Sequence, residues 1–124
     1  MGIDVYMRWD DQTKAEENAQ YTGFSAVHGY VGYLREAYHG GPYATKVLVP
    51  EDWKSEDEGG VIISSEALRQ RLPSVLNVAK ERSRLVYNKL MADDDPVLQS
   101  FRDFVALHER LETEGKHPRI RVSR

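Results

Sequence analysis

Three patterns in the sequence predict an α+β fold, a mostly antiparallel sheet of about four strands covered by helices. Residues 2–9 alternate, with Ile3, Val5, Met7 and Trp9 on one side and Asp4, Tyr6 and Arg8 on the other, the period of a half-buried strand. From Ser64 onward the apolar spacing becomes helical over long runs, and a short alternating run closes the chain. Strands mixed with helices in this order favour helices laid against an antiparallel sheet. A length of 124 residues makes one domain, 1–124, able to bury roughly two thirds of the surface its unfolded chain exposes.

The first strand ends at Asp10-Asp11. Thr13 and Glu16 stand at capping-box spacing and predict a short polar helix or turn through Tyr21. Tyr30, Tyr33, Leu34, Ala37 and Tyr38 recur at helical intervals, predicting a helix over 30–39 with one aromatic face. Gly40 or Gly41 then serves as its left-handed stop, and Pro42 prevents continuation. Tyr43, Thr45, Val47 and Val49 alternate with Ala44, Lys46 and Leu48, predicting a strand over 43–49 that Pro50 ends. After an acidic, glycine-containing connection over 51–60, Val61-Ile62-Ile63 predicts a third strand at 61–63. Helices follow over 65–72 and 74–91, with a break or kink expected at Pro73. Asp93-Asp94-Asp95-Pro96 predicts the start of a helix over 96–114: acids at the positive pole, Asp95 at the N-cap, Pro96 in the first turn. Its apolar stripe is Val97, Leu98, Phe101, Phe104, Val105, Leu107, His108 and Leu111. Arg119 to Ser123 is the last strand, 119–123, and the strand order does not follow from the pattern.

Composition excludes several classes. With no cysteine, disulfides and thiolate metal sites are ruled out, which fits a cytoplasmic location. The opening residues lack the basic and apolar regions of a signal peptide, and Tyr6 stands where a myristoylation site expects Ser or Thr. Apolar runs are far short of the roughly 20 residues a membrane span needs, so no membrane partner is expected. Net charge is −3, split as −6 over residues 1–60 and +3 over 61–124.

The stretch 29–45 concentrates the chemistry. Its candidate binding residues are His28, Tyr30, Tyr33, Arg35, Glu36, Tyr38, His39 and Tyr43. Tyrosines are amphipathic and suited to interfaces, and their hydroxyls need partners when buried. Glu36 and His39 form half of a paired-carboxylate di-metal motif, but the second half is missing. Glu114 and His117 match the spacing, and Gly115 between them breaks the helix that would aim both. A site from His28, Glu36, His39 and Asp4 is the metal alternative, against which stands a dipole contact for His39 at a helix end. No catalytic motif is complete: Ser25 precedes His28 by three residues without a Gly-x-Ser-x-Gly elbow, and neither Gly29-Tyr-Val-Gly32 nor Gly40-Gly41 matches a phosphate loop. Basic residues Arg69, Arg71, Lys80, Arg82, Arg84 and Lys89, with Lys116, Arg119, Arg121 and Arg124, raise nucleic-acid binding as a third reading. Interleaved acids make solvated faces the better explanation.

The opening 1–6, the run Gly32-Tyr-Leu-Arg-Glu-Ala-Tyr-His-Gly-Gly-Pro-Tyr-Ala-Thr45, and the segments 68–73 and 98–104 resemble small bacterial or phage proteins without an assigned activity. The resemblance implies a bacterial or phage cytoplasmic protein and brings no reaction, cofactor or site residue. The expectation is a small non-enzymatic binding or interaction protein, partnered by another protein or a second copy, that uses 29–45 as its contact surface. The alternative is a small metal-dependent or acid/base enzyme around His28, Arg35, Glu36, His39 and Tyr43.

Overall fold

The computed structural model describes residues 2–21, 28–38, 40–53 and 60–123. Its elements are β1 (Gly2–Arg8), α1 (Lys14–Ala19), a 3-10 turn (Gly29–Val31), β2 (Tyr33–Ala37), α2 (Ala44–Leu48), α3 (Pro50–Trp53), α4 (Ser65–Tyr87), α5 (Pro96–Thr113) and β3 (Arg119–Ser123). The strands form an antiparallel sheet in the order β2-β1-β3, so the α+β class holds. β1 is central because its inward residues Ile3, Val5 and Met7 are all completely buried. They belong to one apolar cluster with Leu34 of β2, Leu68 and Val75 of α4, Phe101 and Phe104 of α5, and Ile120 of β3. Burying each such side chain contributes about 1.5–3 kcal/mol relative to leaving it exposed.

Local signals succeed where they are self-contained. Thr13 and Glu16 form the capping box of α1, with Thr13 Oγ1 accepting from the Glu16 amide at 3.1 Å and the Glu16 carboxylate from the Thr13 amide at 2.9 Å. Asp95 caps α5 through the Val97 amide at 2.9 Å, and Pro96 opens the helix. The helix buries Leu98, Phe101, Phe104, Val105, His108 and Leu111, the stripe its spacing requires.

Five predicted elements are corrected. The helix over 30–39 is instead one 3-10 turn followed by β2. Gly32 adopts a left-handed φ of 86° that stops the turn, and the next residues pair with β1, Val5 opposite Leu34 and Ile3 opposite Glu36. The aromatic spacing matches a helix, but the open edge of β1 supplies backbone partners that decide for a strand. The strand over 43–49 is instead helix α2, which buries Ala44, Thr45 and Leu48; its N-terminal amides are held by Glu36. The strand at 61–63 reduces to one antiparallel bridge between Val61 and Ile120, with Ile62 exposed. The two helices 65–72 and 74–91 are one helix that runs through Pro73 and ends at a left-handed Asn88. Pro73 and Arg69 are both exposed, so solvent takes the place of the bond that proline cannot make. Since strand β2 precedes them, Gly40 and Gly41 are not the stop of a 30–39 helix; the Gly41–Pro42 peptide is cis.

Gly29 sets how closely the 3-10 turn packs on α5. A Cβ at this position would lie 1.8 Å from the Ser100 carbonyl oxygen, so only glycine permits the approach. No helix among the described residues is long and apolar enough to cross a membrane.

Candidate functional site

A strand sends successive side chains to opposite faces, and this divides the candidate residues. Tyr33 and Arg35 lie on the face of the sheet away from the core. The Tyr33 hydroxyl donates to Asp4 Oδ1 at 2.6 Å, and Arg35 Nη1 donates to the same oxygen at 2.8 Å. Burial, then the hydrogen bond to Asp4, pushes the Tyr33 phenol up to about 12.

Glu36 points the other way. Its carboxylate accepts from the Ala44 amide at 2.9 Å, from the Thr45 amide at 2.7 Å and from the Thr45 hydroxyl. Arg82 of α4, only 5% exposed, brings Nε to 3.8 Å from Glu36 Oε2. Its other nitrogens donate to the carbonyls of Ala37 and Gly40, and its guanidinium lies 4.7 Å from the centre of the Tyr43 ring. One buried ion pair thus joins β2, the turn after it, α2 and α4. Charges buried this far need such complete partnering.

The remaining candidates are spread along this edge. Tyr38 is exposed and meets Tyr43 edge-to-face, with ring centres 6.4 Å apart. His28 and Tyr30 sit at the opposite end of β2, with ring centres 6.2 Å apart, and Tyr30 is exposed. His39, Ser25 and Arg124 lie outside the described residues. The single tyrosine face is therefore corrected: Tyr30, Tyr33 and Tyr38 occupy different surroundings.

Beside β2 the fold leaves a cleft of about 390 Å³. Arg35, Glu36 and Ala37 form one wall, Ala79, Arg82, Ser83 and Tyr87 of α4 another, and Lys89, Met91, Asp95, Val97 and Phe101 complete it. The volume lies within the range of small-ligand pockets, and a largely apolar lining with a few fixed polar groups is their usual character. Arg82 was hidden in the sequence among the basic residues of a solvated helix. Its signal is spacing: Val75, Ala79 and Arg82 fall in one buried register of α4, which puts a guanidinium where an apolar residue belongs and so calls for a buried acid.

The other cations of α4 have carboxylate neighbours: Arg69 with Glu109, Arg71 with Glu51, Lys80 with Asp93 and Arg84 with Glu81. These are the solvated ion pairs expected of an exposed helix face.

A serine–histidine contact absent from the sequence motifs joins the two long helices. Ser65 Oγ lies 2.7 Å from His108 Nδ1, and Glu112 accepts from the Ser65 amide at 3.1 Å. Ser65 and His108 are buried, so substrate cannot reach them, and the contact fastens α4 to α5. Burial pushes the His108 imidazole below its ordinary value, with Glu112 opposing.

Among the described residues no group of three or more histidines and carboxylates is placed to hold a metal ion. The geometry describes a small α+β protein with an apolar cleft beside an edge strand and a buried ion pair in its wall. No protein family, curated protein or solved structure matches the chain.

Proposed function

We propose that this is a small non-enzymatic binding protein that takes an apolar group of its ligand into the cleft between β2, α4 and α5. The observation that carries the reading is the cleft itself: about 390 Å³, with Ala79, Met91, Val97 and Phe101 as apolar lining. The wall is held rigid by Glu36 and Arg82, each already satisfied by neighbours, so an incoming group meets a preformed surface and little ordering cost. In this reading the 29–45 segment builds one wall of the binding surface. Its polar residues hold the wall in place.

The enzyme alternative has less support. The Glu36 carboxylate is engaged by three donors, which leaves it a poor general base.

The test uses the probe 1-anilinonaphthalene-8-sulfonate on the native protein and on Ala79→Leu, which fills the cleft. Saturable fluorescence enhancement is expected for the native protein and loss of it in the variant, with the thermal midpoint lowered by only a few degrees. Equal enhancement in both proteins, or none in the native one, overturns the proposal.

A further inference from the structure

The face of the sheet opposite the core holds a separate feature, produced by register. Residues directly opposite each other on antiparallel strands share a face. Tyr33, Tyr6 and Arg121 therefore form one row, Arg35, Asp4 and Ser123 a second, and Arg8 stands opposite Arg119. Arginines from both ends of the chain meet on this face, although the chain as a whole has a net charge of −3.

Among the described residues, carboxylates answer only two of these four cations. Asp4 pairs with Arg35 at 2.8 Å, and Asp10 pairs with Arg119 at 3.3 Å while also holding His117 at 2.8 Å. Arg8 directs its hydrogen bonds to neutral oxygens, those of the Met7 carbonyl, the Gln20 side chain and the Tyr21 hydroxyl. Arg121 is exposed and has no carboxylate partner among the described residues. Like charges directly opposite each other, as Arg8 and Arg119 are, cost a sheet stability. On α4 the same chain gives its exposed cations acidic neighbours, so the pairing left undone here marks a place where stability yields to another demand.

Aromatic rings adjoin these cations. Tyr6 and Tyr21 have ring centres 5.5 Å apart, and the Arg8 guanidinium lies 5.3 Å from the first and 5.7 Å from the second. Tyr21 is 55% exposed. Guanidiniums for phosphates beside an exposed ring for a base is the pairing that single-stranded nucleic acid uses. A duplex keeps its bases stacked on one another and gives the ring nothing to do, and an acidic peptide has no flat face to lay on it.

We propose that this face binds single-stranded nucleic acid, with Arg121, Arg119 and Arg8 against the phosphates and a base stacked on Tyr21. Three strands cover roughly 10 Å across the sheet, room for about two or three nucleotides. Affinity is correspondingly modest and depends on salt.

Fluorescence anisotropy with labelled oligo-U and oligo-dT of about 12 nucleotides tests this, using the full chain at salt from about 50 to about 200 mM. Binding is expected with a log–log salt slope near −2, as about three phosphate contacts on a single strand require. Arg121→Glu and Tyr21→Ser are each expected to weaken it about tenfold or more while leaving the thermal midpoint within a few degrees. Ala79→Leu, in the cleft, leaves binding unchanged. The proposal is overturned by no anisotropy change, by binding that neither variant alters, or by equal competition from duplex DNA or polyglutamate.

Discussion

Removing the buried charge pair one partner at a time measures how far the fold depends on it. Glu36 and Arg82 have side chains only 8% and 6% exposed at an N–O separation of 3.8 Å. At an effective dielectric of about 20, their attraction is about 4 kcal/mol before desolvation. Arg82→Met leaves the Ala37 and Gly40 carbonyls without their donor and the Glu36 carboxylate without its countercharge. Glu36→Gln puts an amide group beside backbone amides that need acceptors at 2.7 and 2.9 Å. Each single substitution is expected to cost about 3–5 kcal/mol, the usual consequence of stranding one member of a buried pair. The double substitution strands no charge and is expected to cost less than the two together, with a coupling energy above about 2 kcal/mol. Urea denaturation at equilibrium on all four proteins gives these values by linear extrapolation. Coupling within about 0.5 kcal/mol of zero would refute the pairing and leave Arg82 as a carbonyl ligand alone.

Other expectations follow from single positions. Gly29→Ala, whose Cβ would meet the Ser100 carbonyl oxygen at 1.8 Å, is expected to cost at least about 3 kcal/mol by displacing the turn from α5; a smaller loss in urea denaturation contradicts the packing. His108 has its folded pKa lowered, chiefly by burial, so the unfolded chain binds the proton first. Its stabilising contribution is complete above the unfolded value and falls as pH drops through and below about 6.5. The thermal midpoint of the native protein should therefore fall more steeply between neutral and mildly acid pH than that of His108→Gln, and parallel curves would exclude the histidine. Tyr33→Phe, which removes the 2.6 Å bond to Asp4, is expected to cost about 1 kcal/mol. The exposed Tyr38 changed to Phe should stay within about 0.5 kcal/mol, and equal effects would show that the two share an environment after all.

How much of the fold could be read from the sequence depends on where each element gets its stabilising partners. α5 carries its own instructions, with Asp95 and Pro96 at its start and an apolar stripe along one side, and β1 alternates without exception. The region from Tyr30 to Val49 is settled from a distance. β2 is a strand because β1 offers it a hydrogen-bonding edge, and α2 is a helix whose first amides are held by Glu36, eight residues earlier for Ala44. Neither partner appears in a local window, and the tyrosine spacing that suggested a helix is shared among unrelated environments. Of the candidate residues, Glu36 and Tyr43 do meet, through Arg82. Arg35 belongs to the other face of the sheet, a division that became visible only once 33–37 was a strand.

The central position of β1 has a consequence for how the chain is made. Val5 pairs with Leu34 on one side and with Val122 on the other, so one edge finds its neighbour early in synthesis and the other waits for the distant β3. Pairings between distant parts of a chain form slowly because a large loop must close first. Until then the nascent protein presents one open edge with buried-type residues Ile3, Val5 and Met7 beside it, an invitation to foreign strands. Chains halted before Arg119 are therefore expected to partition into aggregates far more than chains that include β3, a property of timing that the finished sheet conceals.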